Sequence, residues 1–145
     1  MINSDRLVTN FCEMVQIDSP SGEEDDMAMY LENKLIALGF QVVRDSYGNL
    51  IANNGAGNDP ILLSAHMDTV EPGRGITPTI DEDRIISDGS TILGGDCKAG
   101  IAAIMEGIES VKEDDEKIRP IEVAFTKEEE IGLVGARNLD FSLIT

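Results

Sequence analysis

No apolar run in this chain approaches the roughly 18 residues that cross a bilayer. The start Met1-Ile2-Asn3-Ser4-Asp5-Arg6 has neither the basic stretch nor the apolar core of a secretion signal. Both absences predict a soluble, cytoplasmic protein. Basic residues are scarce, eleven Lys and Arg against 28 Asp and Glu, for a net charge of -17. A surface of that sign repels nucleic-acid phosphates and anionic lipid headgroups, so neither nucleic acid nor a membrane is an expected partner. The acidity is most simply a solvated surface, although carboxylates gathered in a pocket would concentrate divalent cations. Cysteine occurs only at Cys12 and Cys97, with no C-x-x-C spacing. Two distant thiols suit a reducing compartment rather than a disulfide framework, and both are expected free. Histidine occurs once, at His66.

What is present fits one domain. A chain of 145 residues can bury roughly 70% of its unfolded surface in a single core. Ser4 can cap a first helix whose stripe is Leu7, Phe11 and Val15. Ser21 and Glu24 match a capping box for a second, with Met27, Leu31, Leu35 and Leu38 on one face and Gly39 as a left-handed stop. Residues 40–45 and 49–53 read as a hairpin around Tyr47-Gly48, and 54–59 as a loop. Residues 61–65 are continuously apolar apart from Ser64, as expected for a strand covered on both faces. Short strand-like pieces follow near Thr79 and Arg84, then a helix from Lys98 to Lys112, a solvated acidic run over 113–116, and a strand over 120–126. Helices alternating with strands predict an α/β fold that contains parallel strands.

His66 stands at the end of an apolar strand, two residues before Asp68. An imidazole that binds zinc through one nitrogen needs an acceptor for its other N–H, and an aspartate on the same side of an extended chain supplies one. The plainer reading of an isolated His-x-Asp is a histidine that ends a core strand beside a turn. Two further polar clusters, Asp96 and Glu128 to Glu130, also follow strand-like segments. In open α/β sheets, strand ends gather at one edge where ligands bind. Together the three clusters make a plausible metal site. Glu128 to Glu130 by themselves would pass for an exposed acidic helix start.

The segments Ser64 to Val70, Ser87 to Gly100 and Phe125 to Ala136 resemble the dinuclear zinc metallopeptidases that include peptidase T, carboxypeptidase G and aminoacylase. The peptidase T-like branch fits best. The resemblance implies a three-layer α/β/α sandwich with a mixed, partly parallel sheet, two zinc ions (Mn or Co in similar sites), and hydrolysis of short peptides, as by a tripeptide aminopeptidase. It makes His66 a ligand of one zinc, Asp96 the bridging carboxylate and Glu130 a ligand of the other. Asp68 orients His66, and Glu129 is the general base acting on a metal-bound water. Cys97 stands where the family usually carries aspartate, beside the ligands rather than among them. The resemblance also implies that residues 1–145 are the N-terminal part of the catalytic domain. A further carboxylate ligand, a dimerising lid domain and a second histidine would lie beyond them, leaving this chain a monomer of little activity. The alternatives are an N-acyl amino-acid deacylase or carboxypeptidase of the same family, a thiol hydrolase using Cys97 and His66, and a non-catalytic binding module.

Overall fold

The strand Ile121–Thr126 is buried along its whole length, and the fold is arranged around it. The computed structural model describes residues 1–55, 58–114 and 119–145. In chain order its elements are α1 (Ser4–Val15), α2 (Asp25–Ala37), β1 (Gln41–Arg44), β2 (Leu50–Asn53), β3 (Ile61–His66), β4 (Thr79–Asp81), β5 (Arg84–Ile86), α3 (Gly95–Glu113), β6 (Ile121–Thr126) and α4 (Val134–Arg137). A short 3-10 turn, Phe141–Leu143, follows. The main sheet has the order β1-β2-β6-β3, and β4 pairs with β5 in a separate antiparallel ribbon. β1 pairs with β2 and β2 with β6 in antiparallel fashion, whereas β3 is parallel to β6. The expected α/β fold with a mixed sheet is therefore present.

Alternation sorts the two faces of this sheet. Leu50, Ala52, Ala65, Ile121, Val123 and Phe125 join the core formed with α1, α2 and α3. Met27, Leu31 and Leu35 of α2 are fully buried there, as are Val15 of α1 and Ile101 of α3. On the second face Ile51 and Ala124 are buried as well. The chain beyond α4 reaches that face, where Glu122 accepts from Thr145 N at 3.1 Å and from Thr145 Oγ1 at 2.6 Å.

Local signals were met unevenly. Gly39 follows α2 at φ +83°, the left-handed stop its position suggests. The cap of α1 is Asn3 rather than Ser4, its side chain accepting from Arg6 N at 3.1 Å. The capping box at Ser21 and Glu24 does not form. Ser21 Oγ donates to Asp68, and Glu24 Oε1 accepts from Gly22 N and Glu128 N, so both side chains serve tertiary contacts instead. β3 is not covered on both faces: Ile61 and Leu62 are 41% and 44% exposed. Its one strand partner among the described residues is β6. Glu113 ends α3 and Asp114 caps it. The remainder of the acidic run, and the middle of the loop expected over 54–59, lie outside the described residues.

Arg6 ties α1 to α3 through ion pairs with Glu106, Glu109 and Glu113, of which the Glu106 pair is the buried one. The Arg6 guanidinium donates to both oxygens of Glu106, at 2.6 and 2.9 Å, and Asn3 N and Ser110 Oγ each donate to Oε1 at 2.7 Å. The Glu106 side chain is only 1% exposed. Arg6 holds its pKa down at about 2, burial opposing, with Ser110 and Asn3 adding to the effect. A depressed carboxylate contributes stability that is complete above the ordinary carboxylate range and lost as pH falls towards the folded value. Arg6→Ala should therefore lower unfolding free energy by about 2 kcal/mol at neutral pH, because a buried carboxylate loses its partner. Urea midpoints measured from pH 7 downward should show this difference shrinking between about pH 4.5 and pH 2. A difference that stays constant through that window would contradict the assignment.

Candidate metal centre

Parallel strands end side by side, and that places the site. His66 is the last residue of β3 and pairs in register with Thr126, the last residue of β6. The chain leaving β6 carries Glu128, Glu129 and Glu130 back past the imidazole, while the start of α3 brings Asp96 and Cys97 from the other side. The edge is the one at which α/β sheets bind ligands.

His66 is 8% exposed. Its Nδ1 lies 2.9 Å from the main-chain oxygen of Asp68 and 3.3 Å from the carboxylate Oδ1. Asp68 thus engages the ring as expected, with its carbonyl nearer than its carboxylate, because β3 ends at His66 and the chain then turns. Nε2 is 3.0 Å from Asp96 Oδ1 and 3.9 Å from Glu129 Oε2. Burial pushes the imidazolium down, but the carboxylates of Asp68 and Asp96 outweigh it and raise the pKa to about 9. The negative field that does this would equally attract a metal cation.

Asp68 is completely buried. It accepts from Ser21 Oγ at 2.7 Å, from Glu129 N at 2.9 Å and from Glu130 N at 3.1 Å. Burial favours its neutral form, yet the bonds from His66, Ser21 and the two amides hold its carboxyl well below the usual range. Glu130 is shifted the other way: burial pushes it up, Asp96, Glu129 and Asp68 add to this, and His66 opposes it.

Two donor groups share the imidazole. His66, Asp96 and Cys97 form one and His66, Glu129 and Glu130 the other, with ligand atoms within 4.8 Å of one another in each. The sequence candidates His66, Asp96, Glu129 and Glu130 are thus brought to one place. Among the described residues, no such group unites Asp96 with Glu130. Imidazole nitrogen with carboxylate oxygen suits zinc and its first-row neighbours, so the residues fit a divalent metal.

The structure separates Glu128 from its neighbours. At φ +52° its backbone is left-handed, and its carboxylate accepts from the Tyr47 hydroxyl, which pushes that phenol up to about 12. Asn49, fully buried, accepts from Lys127 N at 3.0 Å and donates to Gly135 O at 3.0 Å. Tyr47 and Asn49 thus support the glutamate-bearing loop. In the sequence they read only as a hairpin turn and its flank. Lys98 is likewise unannounced: fully buried, it donates from Nζ to Ile17 O at 2.7 Å, and burial draws its pKa down to about 8.

Imidazole and carboxylate donors gathered at one edge of a mixed α/β sheet make a candidate divalent-metal site. The model of Peptidase family M20/M25/M40 matches residues 62–140, and the chain belongs to that family, which is generally metal-dependent. It is 41% identical to the Bacillus subtilis protein YqjE, covering 100% of this chain and 42% of that one. It is 31% identical to peptidase T of Haemophilus influenzae over 74% of this chain and 35% of that one. Its structure superposes on a tripeptidase from Staphylococcus aureus with a TM-score of 0.95 and 38% identity, over 100% of this chain and 42% of that one. Aminopeptidase PepT from Bacillus cereus gives 0.94 and 43%, over 99% and 42%. The chain therefore spans about two fifths of the length of these relatives. No helix among the described residues is long and apolar enough to cross a membrane.

Asp68→Ala would leave the amides of Glu129 and Glu130 without their acceptor and remove a partner from His66. The expected cost is about 3 kcal/mol of unfolding free energy. Hydrogen exchange should accelerate first at the Glu129 and Glu130 amides; unchanged protection there would refute the role given to this carboxylate.

Proposed function

We propose that the chain is the N-terminal part of the catalytic domain of a zinc-dependent peptidase of short peptides, specifically a tripeptide aminopeptidase. The observation that carries this reading is the approach of His66 Nε2 to Asp96 at 3.0 Å and to Glu129 at 3.9 Å, in a chain of a peptidase family. Similarity to a tripeptidase and to an aminopeptidase supports the substrate class.

In this reading His66 and Asp96 would hold one zinc, and Asp96 and Glu130 the other. Mn²⁺ or Co²⁺ would suit the same donors. Bound zinc would supply Lewis acidity, polarising the scissile carbonyl and making water a nucleophile near neutral pH. The chain's own residues do the rest. Asp68 keeps Nδ1 of His66 engaged, so that Nε2 is the nitrogen presented to the metal. Glu129, whose Oε2 lies 3.9 Å from His66 Nε2, would take the proton of the attacking water and return it to the leaving amine. The Tyr47 contact holds the glutamate loop at Glu128, and the Asp68 contacts hold it at the Glu129 and Glu130 amides.

His66 is the single imidazole of the 145 residues. The chain then offers each zinc two of these ligands, against about three for a typical catalytic zinc. Weak zinc binding and slow turnover by the isolated chain follow. With Zn²⁺ supplied, slow tripeptide hydrolysis is expected, and Glu129→Gln should reduce it about 100-fold or more without changing zinc stoichiometry. Hydrolysis that survives exhaustive chelation would overturn the metal mechanism. Rapid turnover abolished by Glu129→Ala would overturn the expected weakness of the isolated chain.

A further inference from the structure

We propose that Cys97 Sγ is a third protein ligand of the metal held by His66 and Asp96. This rests on the metal reading above and adds to it a thiolate, which makes that position an N, O, S site for a borderline-soft divalent cation.

Backbone geometry is the first support. In a regular helix, consecutive side chains splay by about 100° and cannot both face one imidazole. Asp96 (φ -89°, ψ 109°) and Cys97 (φ -110°, ψ 24°) depart from helical values. This departure is what lets both side chains bring a ligand atom near the His66 ring. Lys98, bonded to Ile17 O, fixes the point at which the regular helix begins.

Distance is the second. The three ligand atoms lie within 4.8 Å of one another. Around a tetrahedral zinc, with bonds of about 2.0 to 2.3 Å, donor atoms are about 3.3 to 3.6 Å apart. Closing the gap takes little more than about 1 Å, and the Asp96 side chain is 85% exposed, so little packing holds it back.

The seat of the sulfur is the third. A Cβ on Gly100, one turn along α3, would stand 2.8 Å from Cys97 Sγ and 4.0 Å from Ala65 Cβ, beside His66. Only a glycine leaves Sγ that space. The thiol is half-buried and in no disulfide. It is not arranged as a nucleophile: Nδ1 of His66 is engaged by Asp68 and Nε2 by Asp96, which leaves no ring nitrogen to receive the thiol proton. On metal binding the thiol releases its proton to solvent and sulfur donates a lone pair, without oxidation or reduction.

The test is an optical titration of the 145-residue chain with Co²⁺ alone, under a phosphine reductant. The wild type and Cys12→Ala should both develop a near-ultraviolet thiolate-to-cobalt charge-transfer band together with visible d–d bands. Cys97→Ala should lose the charge-transfer band, keep d–d bands, and bind Co²⁺ about tenfold or more weakly, since losing a direct ligand costs at least as much as losing an outer partner. Gly100→Ala, which retains both thiols, should weaken or shift the band by displacing Sγ. Cobalt binding by the wild type without a charge-transfer band would overturn the role of Cys97 and leave the metal centre standing. A band that persists in Cys97→Ala would also overturn it, and failure of the wild type to bind Co²⁺ would overturn both readings.

Discussion

A fully buried carboxylate must be satisfied by the protein, and Asp68 draws three segments together to meet that need. Ser21 comes from the turn before α2, His66 from the end of β3, and the amides of Glu129 and Glu130 from the loop after β6. Neighbouring backbone bonds follow the same seam: Met67 N donates to Thr126 O, and Thr69 N to Ser19 O. Because the two glutamate amides aim at Asp68, their side chains are available to the imidazole rather than to bulk solvent. The positions of Glu129 and Glu130 are thus referred to one charge at the base of the site.

The architecture was largely legible because periodicity and strand length carry it. Leu7, Phe11 and Val15, and Met27, Leu31 and Leu35, all pack into the core as their spacing predicts. The misread signals were polar ones. Ser21 and Glu24 have the spacing of a local cap, but a hydroxyl and a carboxylate can satisfy distant groups equally well, and the choice is made by packing. The apolar run of β3 reads as a strand covered on both faces, whereas its place at the sheet edge leaves Ile61 and Leu62 partly open.

The candidate site was legible as types of residue and much less so as geometry. His66, Asp96, Glu129 and Glu130 converge, yet the grouping of donors differs from the one their order suggests, with Cys97 beside Asp96 and both glutamates together. Tyr47 and Glu128 are 81 positions apart, and no spacing rule links them. Their contact depends on the left-handed turn at Glu128, a property of the folded chain that a run of three glutamates does not announce. Cys97 was set beside the ligands because the resemblance gives its position no ligand role, whereas the folded chain brings its sulfur within 4.8 Å of the His66 and Asp96 ligand atoms.

The parallel pairing of β3 with β6 also sets an order in time. Ser64 and Ala124, bonded across that pair, are separated by 60 positions, so closing it costs more chain entropy than closing the β1-β2 hairpin. A chain made from its N-terminus presents His66 long before the wall that carries Glu129 exists. During synthesis the imidazole and the thiol precede the glutamates, so an early-arriving cation would meet the His66, Asp96 and Cys97 donors first and the second group only after β6 has docked.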